Sequence, residues 1–148
     1  MSRLINIVFL LLIIFPSHGL ALTMTERDYW IEKYLSVSFP LHNIKVNSSF
    51  GVRSDPFSGK VRRHNGLDLA ARYEEVLSMF DGVVENIGSD RGSGKYVILR
   101  YGAYTVSFCH LSEIWVRKGM KLYAGDPIGI SGSTGRSTGP HLHITSRL

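Results

Sequence analysis

The 148-residue sequence predicts an all-β fold, mainly of antiparallel strands, with one short N-terminal helix. From about residue 44 onward, short apolar segments follow one another, separated by Gly, Pro, Ser and Asp. The sequence indicates no long helix between these short, closely spaced segments, which favours an antiparallel all-β core. A chain of this length is typical of a single domain.

Residues 1–21 are predicted to be a secretory signal peptide. Arg3 precedes an apolar run, Ile7 to Phe15, which Pro16 ends, and small residues follow around Ala21. A charged start, a short apolar core and a small-residue cleavage site in this order are typical of such signals. The run is shorter than the about 20 apolar residues of a transmembrane helix. We therefore expect export to the periplasm, cell wall or exterior, with no stable membrane span after processing; an uncleaved anchor is the alternative.

Residues 22–43 are predicted to be an N-terminal extension, and 44–148 a single domain. Within the extension a helix is expected over about 26–36. Thr25 can cap its start, and apolar residues recur four positions apart at Trp30/Tyr34 and Ile31/Leu35.

Nine strands are predicted in the domain, with turn residues between them. They are Ile44–Asn47, Gly66–Ala70, Val76–Phe80, Gly82–Ile87, Tyr96–Tyr101, Tyr104–His110, Lys121–Tyr123, Pro127–Ser131 and His141–Thr145.

Charge and cysteine content exclude several classes of protein. The net charge of +5 is modest and the basic residues are scattered, which favours an anionic cell envelope over nucleic acid as a partner. Cys109 is the single cysteine, so no internal disulfide can form. A Cys109–His110 nucleophile pair is disfavoured, because adjacent residues of a strand point to opposite faces.

Two common catalytic motifs are absent from the sequence. "GSTGRSTG" lacks the Gly-Lys-Ser/Thr of a phosphate loop, and no Gly-x-Ser-x-Gly elbow is present.

The segment "HNGLDLA" places two polar groups on one face. His64 and Asp68 are four residues apart, and Asn65-Gly66 disfavours a helix. On a strand both would share a face with Gly66, whereas Leu67 and Leu69 would enter the core. His64 and Asp68 are therefore expected to face a cleft.

The segment "PHLHI" repeats this arrangement near the end of the chain. His141 and His143 share one face, and Leu142 and Ile144 the other. If the two strands are neighbours, His64, Asp68 and one of the two histidines converge. Two nitrogens and a carboxylate suit a tetrahedral zinc ion with an open fourth position, as in catalytic sites.

A base is needed beside such an ion, and no His-Glu-x-x-His segment is present. The spare histidines are the remaining candidates. His110 ends a strand in which alternation places it on one face with Val106 and Phe108. His42 has no patterned neighbour and is expected on the surface.

Several motifs together resemble the lysostaphin-type, or LytM-type, zinc endopeptidases. They are "SSFGVRSDPFSGKVRRHNGLDLAA" (48–71), "DGVVENIG" (81–88), "HLS" (110–112) and "VRKGMKLYAGDPIGISGSTGRSTGPHLHI" (116–144). The resemblance implies a groove over an antiparallel sheet, one Zn²⁺ ion, and cleavage of peptide bonds in peptidoglycan. It assigns the metal ligands to His64, Asp68 and His143, and the catalytic roles to His110 and His141.

The sequence departs from the family pattern at a few positions. Ile144-Thr145 stand where an aromatic residue and glutamate are usual, and Phe108-Cys109 where Tyr-Ala is common. These departures concern the rim of the groove and the fit of substrate. The chain has no room for a separate wall-targeting domain, so we expect it to find its substrate alone or through a targeting partner protein. We also expect a monomer.

Two alternatives to the enzyme are open. One is a non-enzymatic module of the same fold that binds cell wall or regulates a hydrolase. The other is a biotinyl-like carrier module, because "FDGVVENIG" and "KGMKLYAGDPIGI" resemble its hairpins; the lysine that such modules carry between the hairpins is absent from "VLSMFDG".

Overall fold

The computed structural model describes residues 25–28, 31 and 36–148. The chain divides into two compact units, Met1–Glu32 and Lys33–Leu148. In the first unit, 26–28 and 31 are helical. The Asp28 N–H donates to Thr25 Oγ1 at 3.1 Å, and the Thr25 N–H donates to the Asp28 carboxylate at 3.2 Å, which is the capping expected at this helix start. The predicted signal peptide and helix positions 29–30 and 32–35 lie outside the described residues.

Antiparallel strands dominate the second unit, which confirms the predicted fold class. In the described part of the chain there are twelve: β1 (Val46–Ser48), β2 (Gly51–Ser54), β3 (Val61–His64), β4 (Leu67–Ala70), β5 (Glu75–Leu77), β6 (Gly82–Asp90), β7 (Gly94–Tyr101), β8 (Tyr104–Leu111), β9 (Glu113–Ile114), β10 (Lys121–Leu122), β11 (Pro127–Ile130) and β12 (His141–Arg147).

Seven strands form the main sheet, in the order β1-β4-β12-β8-β7-β6-β10. The pairing of β7 with β8 near the centre of this sheet is explained by local sequence. Apolar residues alternate along both strands, and the two-residue turn Gly102-Ala103 joins them, with Tyr101 opposite Tyr104. Gly102 has a φ of +61°. Two-residue hairpin turns require positive φ at this position, and glycine adopts it at little energetic cost. A second sheet has the order β5-β11-β9, and β2 and β3 form a separate hairpin.

The apolar core joins the two larger sheets. From the main sheet, Leu69, Phe108 and Leu142 are at most 2% exposed, and they cluster with Val76 of β5 and Ile128 of β11. Because strand residues alternate in direction, the neighbours of these core residues reach the other face of the main sheet. That opposite face carries the polar groove described below.

Three strands were not predicted from the sequence: β2, β3 and β9. The β2–β3 hairpin lacks the usual signal because its apolar residues are on the solvent side, with Val52 74% and Val61 75% exposed. Its turn is nevertheless marked by Asp55, whose carboxylate accepts the backbone N–H groups of Phe57 at 3.0 Å and Ser58 at 2.8 Å.

Across the described ranges, no helical segment has the length and hydropathy needed to cross a membrane.

Candidate active site

A polar groove of about 520 Å³ runs over the main sheet. Strands β8 and β12 contribute to its floor, and the β2–β3 hairpin and the segment that leads into β12 contribute to its walls. It contains all five residues that the sequence predicted for the site: His64, Asp68, His110, His141 and His143.

Three strands position the predicted metal ligands. His64 is the last residue of β3, Asp68 lies on β4, and His143 lies on β12 directly opposite Asp68 in the antiparallel register. The prediction that His64 and Asp68 share one continuous strand is wrong. Asn65 and Gly66 separate β3 from β4, because β3 pairs with β2 whereas β4 pairs with β1 and β12.

The donor atoms of the three residues are spaced for a single small cation. His64 Nε2 is 3.2 Å from Asp68 Oδ1 and 3.2 Å from His143 Nδ1, and the Asp68 Oδ1–His143 Nδ1 distance is 2.7 Å. Donors about 2.1 Å from a tetrahedral zinc ion lie about 3.4 Å apart, so two nitrogens and a carboxylate oxygen at these spacings fit zinc with little movement.

A hydrogen bond to a residue outside the donor set fixes the orientation of His64. Its Nδ1–H donates to the Ser49 carbonyl at 2.9 Å, which leaves the Nε2 lone pair directed toward Asp68 and His143. A backbone carbonyl behind a histidine ligand is a common way to select its tautomer. His64 Nε2 is therefore oriented toward the other two donor atoms.

Arg53, which the sequence analysis did not select, contacts the other oxygen of Asp68. Its Nη2 is 3.4 Å from Asp68 Oδ2, whereas Asp68 Oδ1 faces the imidazoles. Burial raises the pKa of Asp68, but the His143 hydrogen bond and the nearby His64 and His141 outweigh burial and lower that pKa overall. Asp68 is thus ionised at neutral pH, as a metal ligand must be.

Gly66 gives the His143 ring its space. A Cβ at Gly66 would lie 2.7 Å from His143 Cε1 and would also overlap the Ile144 carbonyl oxygen. Real Cβ atoms do not make such contacts, so only glycine is compatible with this placement of β12. Gly66 therefore has two roles: with Asn65 it separates β3 from β4, and its lack of a side chain leaves space for the His143 ring.

The two predicted catalytic histidines lie beside this cluster. The ring centroids of His110 and His141 are 4.6 Å apart, and His110 is 5.8 Å from His143. The His110 Nδ1–H donates to the Thr134 carbonyl at 2.7 Å, and the His141 Nδ1–H donates to the Gly139 carbonyl at 2.8 Å. Each ring therefore keeps Nε2 free, and His141 Nε2 is 3.6 Å from Asp68 Oδ1.

His110 reaches the groove through a β-bulge. Between Phe108 and Leu111 the register of β8 against β7 shifts by one residue, and His110 has a φ of +63°. The prediction that His110 shares a face with Val106 and Phe108 is therefore wrong: those two side chains are in the core, and the bulge turns His110 to the other side. Bulges that redirect one side chain are common beside active sites.

The bulge also places Cys109 and His110 on the same side, so the alternation argument against pairing them does not hold. Both line the groove. Cys109 is only 6% exposed, and burial raises the pKa of its thiol to about 11. A thiol that stays protonated at neutral pH is a poor nucleophile.

His42 lies outside the groove. It is exposed, as predicted, and its Nε2 is 3.6 Å from the Glu75 carboxylate.

The family model for Peptidase family M23 matches residues 62–148, which is more than half of the chain. This chain belongs to peptidase family M23. The resemblance to lysostaphin-type enzymes seen in the sequence is thereby confirmed.

Among the relatives, the peptidoglycan DD-endopeptidase ShyA from Vibrio cholerae is 41% identical over 102 residues, which cover 67% of this chain and 24% of ShyA. The chain spans about a quarter of the length of the curated relatives it matches.

Solved M23 structures share the fold. A zinc-containing peptidase from Vibrio cholerae matches with a TM-score of 0.67 and 33% identity, covering 73% of this chain and 35% of that one. The catalytic domain of lysostaphin from Staphylococcus simulans matches with a TM-score of 0.64 and 30% identity, covering 70% and 80% respectively.

Proposed function

We propose that this chain is an exported zinc-dependent endopeptidase that hydrolyses peptide bonds in peptidoglycan stems or cross-bridges. The observation that carries the proposal is the convergence of three metal-donor atoms, 2.7–3.2 Å apart, with two further imidazoles in one groove. Membership of a peptidase family and the names of the relatives support the same activity.

His64 Nε2, Asp68 Oδ1 and His143 Nδ1 are the proposed zinc ligands. When bound, zinc lowers the pKa of water toward neutrality and polarises a carbonyl group. Asp68 supplies the negative charge of the site, and Ser49 and Arg53 keep His64 and Asp68 turned toward each other.

His110 and His141 are the proposed proton-handling groups. Both Nδ1–H groups are committed to backbone carbonyls, so each Nε2 can accept a proton from attacking water or donate one to the leaving amine. A protonated imidazole can also hydrogen-bond the oxygen that gains negative charge in the transition state. Burial lowers the pKa of His110, which keeps its ring neutral, and so able to accept a proton, before substrate binds.

The location follows from the proposed substrate. We propose that 1–21 direct export and that the domain over 44–148 acts at the cell envelope as a monomer, alone or with a partner that brings it to the wall. Expression of the full chain with a C-terminal tag, followed by cell fractionation and N-terminal sequencing, tests both export and the cleavage after Ala21.

The activity is tested with purified wall material and two variants. Wild type should bind one zinc ion and release soluble fragments, whose mass identifies the bond cut. His64→Ala should lose zinc and activity together, whereas His141→Ala should keep zinc and lose activity. Full hydrolysis by the His141→Ala variant would contradict its proposed role.

A module that only binds wall or regulates a hydrolase is not favoured, since the three donors and both extra histidines are retained. Chelation distinguishes the two functions: wall binding that persists in excess chelator, without hydrolysis at any zinc concentration, would support the binding module.

A further inference from the structure

The groove continues along β12 beyond the proposed zinc site. His141, His143, Thr145 and Arg147 alternate along the strand and all line the groove. The pairing of β12 with β4 ends at Ile144, so the last residues of β12 have β8 on one side only. Arg147 therefore lies at an open end of the groove floor.

Most charged groups of the groove are already engaged within the protein. Among its acids, Asp55 is bound by Arg62 and Arg136, and Asp68 contacts Arg53. The third acid, Asp90, accepts the backbone N–H groups of Gly92 and Ser93 at 2.7 Å each. Arg63 has its guanidinium 5.0 Å from the centre of the Phe50 ring.

Arg147 is the exception among the groove arginines. Within the described residues, its guanidinium has neither an acid within ion-pair distance nor an aromatic ring beneath it, although its side chain lines the groove. Its neighbour on the same face is Thr145, which carries no charge, and the residue opposite it on β8 is Thr105. The Arg147 guanidinium is thus available to form two parallel hydrogen bonds with an anionic group bound in the groove.

We propose that Arg147 is a specificity-determining residue that binds a free carboxylate of the substrate, within about four residues of the bond that is cut. This inference rests on the proposed function and adds the substrate class: acidic peptides are preferred over the same peptides with that carboxylate converted to a carboxamide. Arg147 acts on binding and does not take part in the chemistry.

The range of four residues follows from strand geometry. Arg147 is four positions beyond the ligand His143, or about 13 Å along the strand at about 3.3 Å per residue. An extended substrate lying in the groove advances by a similar amount per residue. The floor between the two points carries small side chains, Thr145 and the opposite Ser107 on β8, which leave space for such a chain.

The test compares matched cross-linked peptides that carry either free carboxylates or carboxamides at each acidic position. The zinc-loaded wild-type chain should cleave the carboxylate form with about a tenfold higher kcat/KM. Arg147→Gln should abolish the preference and Arg147→Lys should keep part of it, with zinc content unchanged in both. Arg117→Gln, an exposed arginine outside the groove, is the control for net charge and should retain the preference.

Binding is measured separately with zinc-loaded His141→Ala protein, so that affinity does not depend on turnover. The carboxylate peptide should bind about tenfold more tightly, and the further change Arg147→Gln should remove the difference. An equal affinity for both peptides, or a preference that survives Arg147→Gln, would overturn the inference. Binding with the expected preference but no cleavage by wild type would overturn the proposed function and leave this inference standing.

Discussion

At the scale of single residues, Asp68 connects the separate parts of the site. One carboxylate oxygen faces His64, His141 and His143, at 3.2, 3.6 and 2.7 Å, and the other faces Arg53 at 3.4 Å. Asp68 is 8% exposed, so its charge is little screened by water. Small changes around this carboxylate should therefore have large effects on metal binding.

Gly66→Ala is expected to abolish zinc binding, because the new Cβ would lie only 2.7 Å from His143 Cε1 and against the Ile144 carbonyl oxygen, which forces the His143 ring and β12 to move. Zinc titration monitored by calorimetry measures the loss. Gly139→Ala is the matched control: a Cβ there meets nothing within 4 Å, so zinc affinity should match wild type. Normal zinc binding by Gly66→Ala would show that β12 can shift without disturbing the ligands.

Arg53→Met is expected to weaken zinc binding by about 10- to 100-fold, as is usual when a group that orients a ligand is removed. Arg62→Met is the control, because Arg62 lies opposite Arg53 in the hairpin but contacts Asp55 at 3.6 Å. Competition with a zinc-sensitive dye gives both constants. Tighter zinc binding by Arg53→Met would mean that the guanidinium repels the ion more than it positions Asp68.

At the scale of elements, the bulge in β8 is the structure that makes His110 available. The His110 N–H donates to the Ser93 carbonyl at 2.8 Å, and its ring donates to Thr134, so two loops hold the residue at positive φ. A non-glycine residue in this region carries backbone strain, which is typical of functional positions.

The strain at His110 predicts that glycine is more stabilising than alanine there, the reverse of the order at an ordinary strand position. His110→Gly should be more stable than His110→Ala by about 1 kcal/mol, because glycine adopts positive φ without penalty. At Ser107, an ordinary position of the same strand, the alanine variant should be the more stable one. Urea unfolding of the four variants gives the comparison. The same order at both positions would argue against the bulge conformation.

The contrast between β12 and the β2–β3 hairpin shows which strands the sequence could predict. Strands with one buried face, such as β12, were predicted because Leu142 and the two histidines alternate. The hairpin was missed because Arg53 and Arg62 face the groove whereas Val52 and Val61 face solvent. The bulge could not be predicted, since it depends on the register of β8 against β7, which no local pattern of residues specifies.

The same reasoning explains the outcome at the site. His64, Asp68, His141 and His143 were found because even spacing places them on one face of a segment. Arg53 was missed because its partner is fifteen residues away and only the fold brings them together. The Asp55-Pro56 and Ser58-Gly59 turn signals between "GVRS" and "KVRRH" are the sequence feature that could have indicated the hairpin.

At the scale of the whole molecule, the core and the site lie on opposite faces of the main sheet. The core residues contribute no donor to the proposed zinc site, and the site residues contribute no apolar packing to the core. Folding and metal binding should therefore be separable to a large extent, unlike in small domains that fold only with their metal.

Removal of metal is expected to stop hydrolysis without unfolding the chain. In excess chelator, the far-UV circular dichroism spectrum should be retained, and added zinc should restore activity. A zinc concentration a thousandfold above Kd should raise the free energy of unfolding by about 4 kcal/mol. Loss of the β-sheet spectrum on chelation at 25 °C would contradict this separation of core and site.

The central claim, that two imidazoles and one carboxylate hold a single zinc ion, is tested most directly by anomalous diffraction from crystals of the zinc-loaded chain. The account predicts one peak about 2.0–2.2 Å from His64 Nε2, Asp68 Oδ1 and His143 Nδ1. A peak that Asp68 does not contact, or a folded chain that takes up no zinc, would contradict it.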